Sequence, residues 1–402
     1  MTSRREFLKK TAAAGAAIAL TPGSITGRNT RIHARLSNDP VSNKPVDTFT
    51  VNARSAMNIP SIRPREITIP DTAGFKVLKG DFHIHTLFSD GQVMPADRVN
   101  EAVQNGLDVI SITDHIEVRP FFSTVGRWKI NDEQGLNHNL SYEIAKPEAE
   151  RNNLLLVPGT EITKSHMPPG HFNVLFTQDV NPISAAVDDW KKMLQIAVDQ
   201  GGFVIWDHPG WQAPQYGGIE QGSPLRFTKE HEETYKKGWI HGIEIFNGTE
   251  YYPVVLDWCN ERDLALFANS DIHPSELSQY GIHNPARPIT LVLAKDRTLE
   301  SIREALFAKR TIAWAAHMLW GRDPWLPELF NASVEMKSIS PGTLELTNKS
   351  SLPITVSSGG VAINLHQNQK QQLYRAERCK KLTVLNWMIG MDKPLEVPLS
   401  MG

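Results

Sequence analysis

The stretch that decides the fold is GDFHIHTLFSDG, residues 80–91. The apolar residues 75–78 lead into it and predict a strand. His83 and His85 are two residues apart, so on a strand both rings leave the same face. Asp90 follows in a turn favoured by its serine and glycine neighbours. Two imidazoles and a carboxylate at one strand end are what a hydrolytic metal ion needs, although two hydrogen-bonded histidines on a half-buried strand also fit this pattern.

The rest of the chain decides between these interpretations. Strand-like and helix-like segments alternate over about 250 residues, which predicts parallel strands in a barrel or an open sheet. Residues 183–199 predict one long amphipathic helix. Polar residues follow several predicted strands, and in α/β barrels the chemistry collects at such carboxyl ends. After about residue 326, short β-like segments predict a small β-sandwich-like domain.

Nine residues form the candidate metal set: each is a His, Asp or Glu at the end of a predicted strand or in the turn after it, except His171, which opens a predicted strand. They are His83, His85, Asp90, His115, Glu161, His171, His208, Asp271 and His273. With only two cysteines and no Cys-x-x-Cys, a thiolate site is not expected, and nitrogen and oxygen ligands suit zinc, manganese or iron. Without a cation, so many buried ionisable groups would destabilise the fold.

The order of these motifs resembles that of the PHP family, named after polymerase and histidinol phosphatase domains. His-x-His with Ser-Asp-Gly, Thr-Asp-His, Gly-x-Glu, a strand-opening His, His-Pro-Gly and Ser-Asp-x-His follow one another over roughly residues 75–320. The resemblance implies a distorted (β/α)7 barrel, to which the C-terminal β domain is added. It also implies two to three divalent metal ions in three groups: His83, His85, Glu161 and Asp271; Asp90, His115 and His273; and Glu161, His171 and His208, with Glu161 bridging.

The same resemblance implies that the protein is a metal-dependent phosphoesterase, and a small-molecule phosphate mono- or diester is its expected substrate. A metal-bound hydroxide held by Glu161, Asp271 and His85 would carry out the hydrolysis. Many family members have a basic or small polar residue soon after His-Pro-Gly, whereas this chain has Trp211 and Gln212. Hydrolysis of an amide or ester bond therefore stays open, as does a non-catalytic PHP-like binding protein.

Four residues are candidates for substrate binding, because they lie close in sequence to the proposed ligands: Arg119, Lys164, His166 and Trp211. The positively charged side chains of Arg119 and Lys164 could hold a substrate anion, and a solvated surface position is the competing interpretation for each. Asp114 and Asp207 directly precede proposed ligands, and each either orients an imidazole or caps a strand end.

The chain of 402 residues carries a net charge of −2, so composition offers no basic patch for nucleic acid. The sequence SRREFLKK at residues 3–10 resembles a twin-arginine signal and predicts export to the periplasm or beyond, with an ordinary secretory signal as the alternative. No other stretch is apolar enough to predict a membrane span in the mature protein. The expected organisation is a signal peptide at 1–30, a linker at 31–65, the PHP metal-hydrolase domain at 66–325 and the β domain at 326–402.

Overall fold

The structure is a computed structural model that describes residues 64–72, 74–118, 137–166, 168–211, 225–281, 287–358, 360–374 and 380–399. The predicted signal peptide and almost all of the predicted linker lie outside the described residues, so export stays a prediction. Arg119 and Gln212 also lie outside them. Among the helices that the structure describes, none has the length and apolar character required to cross a bilayer.

The secondary structure alternates between helices and strands through the first two thirds of the described chain. The helices are α1 (Pro95–Gln104), α2 (Leu140–Arg151), α3 (Asn181–Ser184), α4 (Trp190–Asp199), α5 (Lys229–Lys236), α6 (Val254–Arg262), α7 (Glu276–Tyr280), α8 (Leu299–Phe307) and α9 (Trp325–Ser333). The strands are β1 (Lys76–Asp81), β2 (Val109–Ile112), β3 (Leu155–Ile162), β4 (Phe172–Leu175), β5 (Phe203–Trp206), β6 (Gly242–Asn247), β7 (Glu250–Tyr251), β8 (Ala265–Asn269), β9 (Ile289–Ala294), β10 (Thr311–Ala315), β11 (Met318–Gly321), β12 (Val334–Ser340), β13 (Thr343–Asn348), β14 (Thr355–Ser358), β15 (Val361–Asn364), β16 (Lys370–Tyr374), β17 (Lys381–Gly390) and β18 (Lys393–Pro398).

Most strands belong to one large mixed sheet. Its hydrogen-bonded order is β15-β14-β17-β11-β10-β9-β1-β2-β3-β4-β5-β6-β7, with β18 on β17 and β8 on β6. Strands β1, β2 and β3 are parallel, as are β5, β6 and β8, and antiparallel β4 joins the two groups. The carboxyl ends within each parallel group lie at one edge, which is where an α/β fold places its functional side chains.

The expected barrel is not closed by a continuous backbone ladder. Strand β8 pairs with β6, and the chain after it meets the chain after β1 through the isolated bridge between Ile84 and Ile272. On its other side, the N–H of Leu266 donates to the hydroxyl of Thr311 and the N–H of Ala268 donates to that of Thr290, both at 3.0 Å. These threonine hydroxyls accept the hydrogen bonds that backbone carbonyl groups of a neighbouring strand would accept in a closed barrel.

The long helix expected at 183–199 is interrupted. A short helix, α3, precedes it, and α4 begins only at Trp190. Asp189 has an extended backbone, and its side chain accepts hydrogen bonds from two backbone N–H groups of the first turn of α4. Because an aspartate in this position satisfies otherwise unpaired N–H groups, it starts a new helix rather than continuing the preceding one.

The C-terminal segment contains the β-strands that its pattern predicts, in two sheets. Strands β12, β13 and β16 form a three-stranded sheet, whereas β14, β15, β17 and β18 continue the large sheet through the parallel pairing of β17 with β11. Leu346 of β13 and Trp387 of β17 belong to one apolar core that also includes Ile110 and Leu291 of the large sheet. The C-terminal strands are therefore packed on the site-bearing part through a shared core.

His231 makes the stability of this fold dependent on pH. It is buried, its Nε2 lies 2.6 Å from the carbonyl oxygen of Pro169, and its ring stacks 3.6 Å from that of Trp206. Burial lowers the pKa of His231 to about 3, so protonation favours the unfolded state, where the pKa is about 6.5. The neutral ring is fully compatible with folding above pH ~6.5, and stability falls as the pH drops from there towards ~3, by roughly 2 kcal/mol at pH 5.

This prediction is checked by urea unfolding of the wild type and of His231→Gln between pH 7 and pH 5. The glutamine variant is expected to lose less stability over this interval than the wild type, by roughly 2 kcal/mol. The same pH dependence in both proteins would show that His231 is not the group responsible.

Candidate metal centre

The chain directly after β1 places the first two histidines. The strand ends at Asp81, before the two histidines that the sequence pattern places on it, and His83 and His85 follow on either side of the bridge at Ile84. Gly91 lets the following turn fold back onto this segment, because a Cβ there would lie 2.6 Å from the backbone of His85. The turn thereby carries Asp90 to the same side as the two imidazoles.

Four of the nine side chains meet in a tight group at the ends of β1, β3 and β8. His83 Nε2 lies 3.1 Å from His85 Nε2, from Glu161 Oε2 and from Asp271 Oδ1. His85 Nε2 lies 3.1 Å from the same oxygen of Glu161 and 3.0 Å from that of Asp271. The oxygens of Glu161 and Asp271 thus each lie within 3.1 Å of both imidazole nitrogens, and the binding of one cation by this group stays a prediction.

Asp90 is the centre of a second group, to which His85 also belongs. Its Oδ1 lies 3.2 Å from His273 Nε2 and 3.6 Å from His85 Nδ1, and its Oδ2 lies 3.6 Å from His115 Nε2. The ligand atoms of these four residues all lie within 4.8 Å of one another. His85 therefore faces the first group with one nitrogen and the second with the other.

Glu161 joins the remaining histidines to the first group. Its Oε1 lies 2.5 Å from His171 Nδ1 and 3.6 Å from His208 Nε2, while its Oε2 lies 3.3 Å from His115 Nδ1. Because this carboxylate also approaches His83 and His85, it contacts five imidazoles, and its bridging of two cations stays a prediction.

The nine residues share one centre but differ in exposure. The side chains of His83, His85 and Glu161 are fully buried, whereas those of Asp90 and His273 are 25% and 34% exposed. The cluster is therefore open to solvent on the side of Asp90 and His273. The structure brings all nine residues together, and their role as metal ligands remains a prediction.

The charges of the cluster follow from its burial and its close pairs. Burial raises the pKa values of Glu161 and Asp271, but the neighbouring imidazoles lower both well below the usual range. Burial lowers the pKa of His85, but the carboxylates of Asp271 and Glu161 raise it to about 9. For His115 burial dominates, and its pKa is well below the ordinary value. Both carboxylates are ionised at neutral pH, which is the form that binds a cation.

Two proposed ligands have unusual backbone conformations. His208 has φ 27° and Asp271 has φ 49°, both in the left-handed region that residues with a Cβ rarely adopt. Such backbone strain is concentrated at functional sites, where the surrounding structure maintains it. The backbone strain at two separate strand ends supports a functional role for the cluster that these residues help to form.

The candidate substrate-binding residues are placed differently. Lys164 lies inside the cluster, with Nζ 2.6 Å from Asp90 Oδ2 and 2.8 Å from His115 Nε2. Trp211 is 47% exposed, and its ring centre lies 4.6 Å from that of His208. Its indole therefore forms an apolar wall beside the cluster. The described side-chain hydrogen bond of His166 is to the carbonyl oxygen of Val187, at 2.8 Å, and not to the nine residues.

The two aspartates that precede proposed ligands have separate roles. Asp114 accepts hydrogen bonds from Thr86 N, at 2.7 Å, and from Ser89 Oγ, at 2.6 Å, so it stabilises the turn before Asp90 rather than orienting an imidazole. Both carboxylate oxygens of Asp207 are buried and make no hydrogen bond among the described residues. Its Oδ1 lies 3.9 Å from His83 Nδ1, too far for a hydrogen bond.

Two buried residues that contact the ligand segments were missed in the sequence. Arg98 of α1 donates to the carbonyl oxygens of His85, at 2.9 Å, and His273, at 2.7 Å, and so connects two ligand segments. Glu244 of β6 lies 2.9 Å from His83 Nδ1. A signal was present for Glu244, since a carboxylate between two isoleucines in a buried strand needs partners.

Comparison with solved structures identifies a relative that covers most of this fold. A two-domain protein of Bacteroides vulgatus, described as containing a predicted PHP-like metal-dependent phosphoesterase, is 35% identical to this chain with a TM-score of 0.74. The match covers 84% of this chain and 99% of that one. The chain belongs to this PHP-like family. The family resemblance of the motifs is thereby confirmed.

More distant similarities were also found. A candidate metal-dependent phosphoesterase from Bifidobacterium adolescentis is 16% identical, with a TM-score of 0.35, over 56% of this PHP-like chain and 95% of that one. An uncharacterised protein of Methanocaldococcus jannaschii is 30% identical over 94 residues, which is 23% of this chain. The match spans about a third, 36%, of the length of that curated relative. No protein-family model matches the chain.

Proposed function

We propose that this protein is a metal-dependent phosphoesterase that hydrolyses a small-molecule phosphate mono- or diester at a centre of two to three divalent cations. The observation that carries the proposal is the convergence of six imidazoles and three carboxylates from distant parts of the chain. The Bacteroides vulgatus relative, described as containing a predicted phosphoesterase of the same family, supports it.

The residues present fit divalent cations. Asp90 Oδ1, Asp271 Oδ1 and His115 Nδ1 are buried and make no well-aligned hydrogen bond among the described residues. Buried polar atoms without partners are costly, and ligation of a cation removes that cost. The donor set contains imidazole nitrogens and carboxylate oxygens alone, which suits zinc, manganese or iron.

Each of the three groups of ligands that the family resemblance implies would hold one cation. His83, His85, Glu161 and Asp271 would hold one cation; Asp90, His115 and His273 a second; and Glu161, His171 and His208 a third. Bound divalent cations supply Lewis acidity, which polarises a phosphoryl oxygen and lowers the pKa of water. The protein residues orient the substrate: Lys164 offers an ammonium group at the exposed side, and Trp211 offers an apolar wall.

The test is a panel of aryl phosphate monoesters and diesters, with matched aryl carboxylic esters and anilides, assayed with added zinc or manganese. We expect turnover of at least one phosphoester class, and its loss on treatment with a chelator. A metal-loaded protein that cleaves no phosphoester would contradict the proposal.

The exposed indole of Trp211 favours a second candidate, hydrolysis of a non-phosphate ester or amide, because it makes the wall beside His208 less cationic. Cleavage of only the carboxylic esters or anilides would support this alternative. Competitive inhibition by phosphate or vanadate, but not by carboxylate analogues, would argue against it. A protein that binds no metal would instead favour the non-catalytic binding role.

Lys164 is expected to weaken metal binding at the exposed group. Its ammonium lies between Asp90 and His115, and a cation bound by these two residues must displace it. Lys164→Met should therefore bind metal at this group about 5-fold more tightly, since a partly exposed ion pair contributes about 1 kcal/mol. The same variant should show a raised KM for an anionic substrate.

Isothermal titration with zinc measures the affinity, and steady-state kinetics on the best phosphoester measures KM. Lys191→Met is the matched control, because Lys191 forms a similar ion pair with Glu233 on the surface. Unchanged or weaker zinc affinity in Lys164→Met would show that the ammonium does not compete with the cation.

A further inference from the structure

Glu244 is a fully buried carboxylate in the middle of β6, and four donors satisfy it. Its Oε1 lies 2.9 Å from His83 Nδ1 and accepts from Asn269 Nδ2 at 2.9 Å. Its Oε2 accepts from the backbone N–H of His208 at 2.9 Å and from Asn247 Nδ2 at 2.8 Å. Each oxygen thus has two partners, which is the capacity of an ionised carboxylate.

These donors come from different strand ends that carry the metal-ligand candidates. His83 follows β1, His208 follows β5, and Asn269 ends β8 two residues before Asp271. The side-chain oxygen of Asn269 also accepts from the N–H of Phe82, at 3.0 Å, directly before His83. One carboxylate therefore connects the segments that hold three of the nine residues.

We propose that Glu244 is a positioning residue for the metal centre, which fixes His83 as the Nδ1–H tautomer and directs its Nε2 at the cation. The inference rests on the proposed metal binding and adds to it the residue that prepares a ligand for that role. A neutral imidazole carries one proton, and an acceptor-only carboxylate at 2.9 Å selects Nδ1 for it. The Nε2 lone pair then faces Glu161 and Asp271, each at 3.1 Å.

Other neighbours of His83 Nδ1 do not offer the same hydrogen bond. Asn247 Nδ2 lies 3.5 Å from it and makes its shorter contact, 2.8 Å, with Glu244. Asp207 is buried beside Glu244, but its oxygen is 3.9 Å from His83 Nδ1. Asp207 is therefore a matched control: an adjacent buried carboxylate that does not hydrogen-bond the imidazole.

The isosteric variant Glu244→Gln tests the role directly. Its amide has one acceptor oxygen, so two of the four donors would face an NH2 group and lose their acceptor. Since carboxylates that orient metal-binding histidines typically contribute 10- to 100-fold in affinity, we expect zinc affinity to fall by about that factor. Asp207→Asn is expected to change zinc affinity less than about 3-fold, because it removes no hydrogen bond to His83.

Heteronuclear NMR of the zinc-loaded protein, labelled at its histidine nitrogens, gives a readout that a merely structural role would not move. The wild type should show a slowly exchanging Nδ1–H signal that disappears in His83→Gln. The signal should be retained in Asp207→Asn and lost or shifted in Glu244→Gln.

A proton on His83 Nε2 in the zinc-loaded wild type would overturn the inference, even if Glu244→Gln fails to fold. Wild-type zinc affinity in a folded Glu244→Gln protein would also overturn it. A wild type that binds zinc and shows the Nδ1–H signal, but cleaves no phosphoester, would leave the inference standing while the proposed reaction fails.

Discussion

Replacement of Glu161 with glutamine is expected to lower turnover on the order of 10³-fold and to remove at least one bound metal ion. The carboxylate lies within 3.6 Å of ring nitrogens from His83, His85, His115, His171 and His208. An amide keeps the shape but loses the charge that holds cations between these imidazoles. Metal content by elemental analysis and turnover of the best phosphoester measure both effects.

The matched control for this variant is Glu117→Gln. Glu117 is close by, but its carboxylate accepts from the backbone N–H of Lys164, at 3.0 Å, and its described hydrogen bonds include no imidazole of the cluster. We expect its metal content to match the wild type. Near wild-type turnover in Glu161→Gln, with fewer metals bound, would remove Glu161 from the mechanism.

Removal of the metals is expected to abolish activity and to destabilise the fold by about 4 kcal/mol relative to protein in free metal at about 1,000 times its Kd. The physical reason is that cations bind the assembled site and not the unfolded chain. The assembled site keeps the Nε2 atoms of His83 and His85 within 3.1 Å of each other and of the oxygens of Glu161 and Asp271.

Urea unfolding of chelator-treated protein, with and without added zinc, measures this difference. Readdition of zinc should restore both the unfolding midpoint and the turnover, which separates metal loss from irreversible damage. Equal stability with and without metal, at concentrations that saturate the wild type, would show that the cluster is not assembled around cations.

The sequence was sufficient to predict which residues meet, because most of the candidates follow strands whose carboxyl ends share an edge, and His171 directly precedes a strand antiparallel to its neighbours. Glu161, His208 and Asp271 are separated widely in sequence, yet each follows or ends a predicted strand, and the structure places them in one cluster. The family motifs add the order of these residues. Short-range sequence patterns thus predict many of the residues that form this site.

Features that depend on three-dimensional packing could not be predicted in this way. The open edge at β8 depends on the hydroxyls of Thr290 and Thr311, which lie far along the chain from the N–H groups that donate to them. Similarly, Arg98 lies on an ordinary amphipathic helix, and only the fold shows that it reaches the carbonyl oxygens of His85 and His273. Helical spacing identifies the buried face of α1 but not the partners of a buried cation.

The contacts of Lys164 and Glu244 also required the fold. Thr163 has φ 68°, an uncommon conformation for a β-branched residue, and the chain after it brings Lys164 to Asp90. Glu244 contacts three other strand ends at once, and its neighbours in sequence indicate only a buried strand. Glu244 illustrates that a charged side chain in a buried strand is informative before its partners are known.

The most direct test of the central claim is the divalent metal content of the full-length protein, purified without chelator and measured by elemental analysis before and after dialysis against zinc or manganese. The account predicts two to three ions per chain in the wild type and at least one fewer in Glu161→Gln. A wild-type protein that takes up neither metal, while correctly folded, would contradict it.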